Sequence, residues 1–591
     1  MGKRHGLPAI SVLDEGAHIN EQGGPFAGLD RYEARARIVE QLREMGDLEG
    51  ERPHPMVIGH CERCGTVIEP RLSVQWFVRT APLAERALAS VREGRTRIVP
   101  DHFTKVYAHW MENIHDWAVG RQLWWGHRIP AWYCPDGHIT VSDLEGGPTG
   151  CDTCGRPAAE LTQETDIFDT WFSAGLWPFS TLGWPDETPD LRRFYPTSVM
   201  ETGYDIIFFW VARMMMLGLF LTDVEPFHTV YLHGLVRATG GIKMSKTKGN
   251  TADPLELIEE IGADALRFAL TVGTAPGADQ RLTSGKLEGA RNFTNKLWNA
   301  ARFVMGARPE ALARPSGEPS LAERWIHSRL ADAIERATRQ LDGLELSAYA
   351  ASAHEFAWTD YCDWYLEMAK IDLRREGADD RERARAWLAA ADALTTMLRL
   401  LHPIVPFVTE EIWARMAAAS GEPSLLITAP WPAAAARDAD AESRMSVLIE
   451  LIRGVRNLRT ESGIAAGARL PLTVVPADEE ARDAIAEGSD YLAGLARVGP
   501  IDLRAAGDDR GRPERIASTP GAAAWLGGET AEASDAPARQ AAGEAHLQRG
   551  IDRLRALLAG DFAARAPAEV VERERARLAE LEAQLRLLRG G

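Results

Sequence analysis

The chain has 591 residues, a net charge of −18 and 45% hydrophobic residues, with 18 tryptophans; that apolar mass suits roughly four domains and excludes a disordered chain. The negative balance argues against a generalised binder of nucleic acid or anionic membrane, while leaving room for a local basic groove. The opening "MGKRHGLPAISV" has no apolar segment behind its charges, unlike a signal peptide, and Gly6 stands where a myristoylation pattern needs Ser or Thr. Six cysteines in so long a chain, five of them near metal-type spacings, point to a reducing cytoplasm rather than to disulfides.

In chain order, residues 1–75 mix short β-like runs ("MVIGH", "GTVIEP") with one helix over "RYEARARIVEQLREMG". Residues 76–130 are rich in Trp and His, and a cysteine-bearing insert occupies about 131–165. An α/β section follows to 285. Its longest apolar run, "IIFFWVARMMMLGLFL", is short for a membrane span and carries Arg213 at its middle, so it reads as a buried helix. The strand-like "TVYLHGLV" precedes a lysine-rich loop, and "DPLELIEEIGADALRFAL" has helical apolar spacing interrupted by Gly262. Residues 286–435 are mainly helical, one helix stopping at "HPIVP", where Pro403 breaks it. Residues 436–540 form a small α/β region with a strand at "RLPLTVV", and the Ala/Gly/Asp-rich stretch from 505 to 540 shows no pattern. In 541–591, Leu547, Ile551, Leu554 and Leu558 form one apolar seam, and Val571, Leu578, Leu581, Leu585 and Leu588 a second. Two seams either side of a Gly- and Pro-containing turn predict an antiparallel coiled-coil hairpin. Its nine arginines and eight acids suit either a solvated coiled coil or an RNA-touching arm.

Two constellations carry chemistry. "GGIKMSKTKGN" holds three of the eight lysines of a chain whose other 59 basic residues are arginine. Lysine is a compact charge on a flexible stem. Lys243 and Lys246, with the Ser245 and Thr247 hydroxyls, could neutralise charge on a leaving pyrophosphate; the alternative is a solvated turn. The spacing is not that of a Walker A loop. The second constellation is Cys134-Pro-Asp-Gly-His138 with Cys151-Asp-Thr-Cys154: three thiolates and an imidazole, enough for a closed tetrahedral zinc site, or else a turn that has lost its metal. Cys61 and Cys64 are half of such a site, and Cys362, on a helix beside tryptophans, reads as core.

"KMSKTKGN" resembles the KMSKS signature of class I aminoacyl-tRNA synthetases, with Thr247 for the usual second Ser. "RQLWWGHRIPAWYC", "DTWFSAGLWPFSTLGWP", "TGYDIIFFWVARM", "GADALRF", "CDWYLE" and "LHPIVPFVTEEIW" are similar to stretches of valyl-tRNA synthetases in particular. The resemblance implies a multidomain α/β and α protein. It would hold a remnant of an editing domain (1–75), a return into the catalytic domain (76–130), a zinc-binding insert (131–165) and the C-terminal half of a Rossmann-type catalytic domain with the KMSK loop (166–285). A helical anticodon-binding domain (286–435), the α/β linker region (436–540) and a coiled-coil tRNA-binding arm (541–591) would follow. It implies an ATP site of Gly203, Asp205, His233, Gly234, Lys243, Met244, Ser245 and Lys246, with the two lysines catalytic, and a valine pocket walled by Trp124, Trp125, Ile206 and Trp210. An apolar wall suits a branched aliphatic ligand. Gly120 departs from the family's usual Ser. Implied partners are valine, ATP with Mg2+, and tRNA(Val), for a monomer acting away from membranes; Zn2+ would be structural.

The HIGH-like motif that class I enzymes use to hold ATP phosphates at a helix N-terminus has no match in these residues: the candidates at His5, His60 and His127 lack a strand-then-helix context. The expectation is therefore an N-terminally incomplete valine–tRNA ligase, inactive by itself. A non-catalytic tRNA-binding fragment and an isoleucyl-type synthetase stand as alternatives.

Overall fold

The computed structural model describes residues 2–237 except 62–63, then 253–310, 317–417, 425–527, 536–559 and scattered residues between 574 and 585. The chain divides into two units, Met1–His233 and Gly234–Gly591.

In the first unit the helix expected near residue 31 is α1 (Arg31–Met45), started by Asp30, whose carboxylate accepts from the Tyr32 amide, and ended by left-handed Gly46. Then come α2 (Ala81–Arg92), β1 (Arg97–Val99), α3 (His102–Glu112), β2 (Ala131–Tyr133), β3 (Ile139–Val141), β4 (Thr162–Gln163), α4 (Thr170–Ser180), β5 (Thr197–Gly203), α5 (Ala212–Thr222) and β6 (Phe227–His233). Strands β1, β6 and β5 form a parallel sheet in that order, with Thr229 opposite Arg97 and His233 opposite Gly203. The path β5–α5–β6 is a crossover between neighbouring parallel strands, as such pairs require. β3, β2 and β4 make a separate antiparallel sheet carrying the cysteine insert.

The apolar run is helical over Tyr204–Thr222, 19 residues, long enough by length and composition to cross a membrane. Its surroundings are those of a core helix: Met214, Met215 and Met216 are at most 2% exposed and cluster with Leu83, Ile98, Val230 and Leu232. The segment Ile207–Val211 is wound as a π-helix.

The second unit begins with α6 (Pro254–Ile261) and α7 (Ala263–Thr271), one apolar pattern split at Gly262, whose φ of +92° a side chain resists. The bundle continues with α8 (Ser284–Gly306), α9 (Leu321–Asp342), α10 (Leu346–Glu355), α11 (Leu366–Leu373), α12 (Asp380–Leu401) and α13 (Pro406–Ala417). Capping boxes at Ser320/Glu323 and Asp379/Glu382 start α9 and α12. Buried Asp264 accepts from the Phe407 and Val408 amides and so ties α7 to the first turn of α13.

An α/β subdomain follows: α14 (Ala439–Glu461), β7 (Leu472–Pro476), α15 (Glu479–Glu487), α16 (Ser489–Ala496), β8 (Ile501–Leu503), β9 (Ala517–Ser518) and β10 (Ala522–Leu526), with sheet order β8–β7–β10–β9. The stretch from 505, unpatterned in sequence, thus contributes an inner strand. α17 (Ala536–Ala559) places Leu547, Ile551, Leu554 and Leu558 on its covered side, and Arg555 pairs with Glu582 at 2.6 Å.

Candidate functional site

In open parallel sheets, ligands bind beyond the carboxyl ends of the strands. Gly203 and His233 are side by side at the ends of β5 and β6, and His233 Nε2 lies 3.1 Å from Glu201 Oε1. Asp205, in the turn after Gly203, is exposed. Three of the expected nucleotide-site residues therefore meet at one sheet edge. Gly234 opens the second unit, where a Cβ would come within 1.8 Å of the Ala278 carbonyl oxygen, so only glycine fits. Lys243, Met244, Ser245 and Lys246 lie outside the described residues.

Of the expected valine wall, Trp124 and Trp125 are exposed in this chain, at 106% and 92%. Ile206 and Trp210 are half-buried, and Trp210 Nε1 donates to the Ala174 carbonyl of α4 at 3.3 Å. Trp171, on the first turn of α4, stacks with Phe209 at 5.9 Å between centroids. The α4 contact of Trp210 is thus the Ala174 carbonyl, while Trp171, which sequence reasoning passed over, packs on the neighbouring Phe209. Gly120 lies in a short strand paired with Ile167 and Phe168, where a Cβ would meet Asp166 Oδ2 at 2.9 Å.

Asp169 was also missed, and it organises this region. Its Oδ2 accepts from Trp117 Nε1 at 2.9 Å, Arg121 Nη2 at 2.8 Å and Arg213 Nη1 at 3.2 Å, while Oδ1 accepts from the Trp171 amide at 3.3 Å. Arg213 stacks on the Trp117 ring at 3.7 Å. Burial pulls the Arg213 guanidinium down, and the Asp169 charge opposes that shift. An Asp just before an apolar run and an Arg within another were the available signals.

The insert gathers Cys134, His138, Cys151 and Cys154, with all four ligand atoms within 4.8 Å of one another. Cys134 Sγ is 3.5 Å from Cys154 Sγ, and Cys151 Sγ is 3.8 Å from His138 Nδ1. A tetrahedral ion with metal–sulfur bonds of about 2.3 Å needs ligands roughly 3.8 Å apart, so the donors fit a metal of that geometry. Two tight turns present them: Gly137 donates to the Cys134 carbonyl and Gly155 to the Cys151 carbonyl, both glycines at positive φ. The amides of Cys154 and Thr153 lower the Cys151 thiol to about 6, towards the thiolate a metal requires. Cys61 forms the same turn with Gly65, but no other ligand joins Cys61 and Cys64 among the described residues. Cys362 is half-buried in the helical core, its thiol raised to about 12 by burial.

Residues 27–283 match the family of class I tRNA synthetases for Ile, Leu, Met and Val, and residues 323–474 the anticodon-binding domain of tRNA ligases. Residues 539–591 match the valyl tRNA synthetase tRNA-binding arm. Among curated relatives, the valine–tRNA ligase of Geobacter sulfurreducens is 43% identical over 98% of this chain and that of Dehalococcoides mccartyi (strain 195) 44% over 98%. The chain belongs to the valyl-tRNA synthetase family. It spans 66% of the length of those two valine–tRNA ligases, slightly under two thirds. A methionyl-tRNA synthetase of Mycobacterium tuberculosis bound by methionyl-adenylate overlaps 64% of this chain and 71% of its own at 20% identity and a TM-score of 0.47. The class I match thus covers most of the first unit and the start of the second, and the anticodon-binding match runs from α9 into β7.

Proposed function

We propose that the chain is the larger part of a valine–tRNA ligase: ATP-dependent activation of valine, then transfer to tRNA(Val). One observation carries this reading, the identity of 43–44% to valine–tRNA ligases over 98% of the chain. In the first step a valine carboxylate oxygen attacks the α-phosphorus of ATP and pyrophosphate leaves. Lys243 and Lys246, either side of Met244 and Ser245 in the sequence, would neutralise the leaving charge, and Mg2+ carried with ATP would supply further positive charge there. Gly203 and Asp205 approach the ribose, and His233 and Gly234 border the adenine. Ile206 and Trp210, with Trp124 and Trp125, would offer the valine side chain a stiff apolar wall that makes no polar demand. In the second step a terminal ribose hydroxyl of the tRNA takes the valyl group and AMP leaves.

Cys134, His138, Cys151 and Cys154 would hold Zn2+, which closes the insert and contributes folding energy. The helical bundle has a cavity of about 740 Å3 lined by Phe303 with four cations, Arg302, Lys370, Arg374 and Arg383, and two acids, Glu310 and Asp380. An aromatic face among cations suits an unstacked base, so this is where the anticodon would be read. The coiled-coil arm would add positioning contacts, and the cytoplasm is the compartment in which such an enzyme works.

The test is competition binding of the 591-residue chain between tRNA(Val) and a tRNA for a chemically distant amino acid at one salt concentration. Preference for tRNA(Val) is expected; equal affinity for both would refute the assignment.

A further inference from the structure

Arginines in the helical unit are mostly paired with acids: Arg324 with Asp438, Asp440 and Glu487, Arg437 with Asp332 and Glu442, Arg444 with Asp440 and Glu487. At the far end of α14 the pattern breaks. Arg453, Arg456, Arg459, Arg469 and Arg497 make no ion pair with any described residue, in a chain of net charge −18. Arg453 lies over the Trp364 ring at 5.2 Å, and the other four guanidinium groups are held by backbone carbonyls. Arg456 Nε donates to Leu495 O at 2.9 Å, Arg497 Nη1 to Ala466 O at 3.3 Å and Arg469 Nη1 to Val498 O at 3.4 Å. Arg459 Nη2 donates to Ala465 O and Ala468 O at 3.2 and 2.8 Å.

Arg456, Arg459 and Arg497 line a single cavity of about 340 Å3 with Thr460, Ile464, Ala466, Leu495 and Ala496. Arg459 is only 7% exposed, and its Nη1 is buried with no hydrogen-bond partner. An unpartnered buried donor on a charged group is costly unless something fills it. Burial, then the neighbouring Arg497 charge, pulls Arg456 down; Glu367 acts the other way and Arg453 with Arg497. A helix C-terminus welcomes one cation, but that does not explain several unpaired guanidinium groups with one donor left open.

We infer that this cavity is a phosphate subsite, taking a phosphodiester of an RNA backbone between the guanidinium groups of Arg456, Arg459 and Arg497. Guanidinium forks match the paired oxygens of a phosphate, and forks already fixed by carbonyls lose little freedom on binding. A strand is favoured over a free anion because two further exposed arginines extend the positive charge beyond the cavity: Arg453, one turn before Arg456 on α14, and Arg469, bonded to the Val498 carbonyl next to Arg497. The RNA assignment rests on the tRNA-binding reading above. The contact reads no base, so it supports binding without selecting the tRNA.

Arg459→Ala would also release the Ala465 and Ala468 carbonyls, so the test uses the exposed pair. Arg456→Gln, Arg497→Gln and the double variant of the full chain are titrated with tRNA(Val), a second tRNA and single-stranded RNA across a salt series, with circular dichroism to verify folding. Each charge removed should flatten the slope of log Kd against log[salt] by about 1, and the double variant should bind all three RNAs roughly tenfold more weakly. Folded variants with wild-type slopes and affinities would overturn the subsite while leaving the tRNA reading intact. A wild-type chain that binds no RNA at low salt would remove both. If inorganic phosphate or pyrophosphate raises the melting temperature of the wild type but not of the variants, and RNA binding is unchanged, the cavity takes a free anion and the RNA assignment is wrong.

Discussion

Substituting Asp169 by Ala removes the centre of a buried charge network and leaves Arg213, 8% exposed, without its anion. Breaking one side of a buried ion pair costs about 3–5 kcal/mol because the remaining charge stays desolvated. Loss of the cap on the Trp171 amide adds about 1 kcal/mol. The cation–π contact between Arg213 and Trp117, at 3.7 Å, is present in both forms and leaves the difference unchanged. The expected destabilisation is therefore about 4–6 kcal/mol. Arg213→Met in the same background removes the orphaned charge at similar volume and should recover at least about 2 kcal/mol. The assay is urea unfolding followed by tryptophan fluorescence, reading the transition that moves with the variants, since a two-unit chain need not unfold in one step. A single variant within about 1 kcal/mol of wild type, or a double variant no better than Asp169→Ala, would refute the claim that buried charge dominates here.

Metal analysis of protein purified without chelator should find close to one zinc per chain, and Cys151→Ser or Cys154→Ser should lower both zinc content and melting temperature; a zinc-free wild type removes the ligand assignment. His354 sits among Phe268, Phe293 and Trp358, and burial, followed by the Lys296 charge, depresses its pKa below 6.5. A depressed folded-state pKa means stability fully present above pH 6.5 and lost as pH falls through the folded value, because the unfolded chain takes the proton first. His354→Phe should flatten the stability profile between pH 7 and 5, and an unchanged profile counts against burial of the neutral ring. Deleting residues 541–591 should weaken tRNA(Val) binding and its salt dependence while keeping the preference over other tRNAs; lost preference at unchanged affinity would reverse the roles given to arm and bundle.

What the letters revealed followed from how local each signal was. Gly262 was legible because an apolar helical period resumed on both sides of it, and the structure breaks the helix there at a φ of +92°. The Cys/His set was legible because two short turns dictate the spacing. β10, "AAAWL", was not: alanines carry no β-branched or alternating pattern, and its place between β7 and β9 comes entirely from tertiary pairing. Asp169 gathers partners 44 and 52 positions away along the chain, a convergence no local window contains.

The antiparallel pairing of Trp132 with Gln163 and Tyr133 with Thr162 means that the cysteine-bearing insert enters and leaves its host at adjacent points, about 5 Å apart. The host closes beneath it on its own terms, through Gly120–Arg121 against Ile167–Phe168 and the Arg128–Ile167 bridge. Such a segment is a detachable module. Lengthening it, or replacing it by a two-residue hairpin turn, would leave unchanged the register of the parallel sheet that sets Gly203 beside His233.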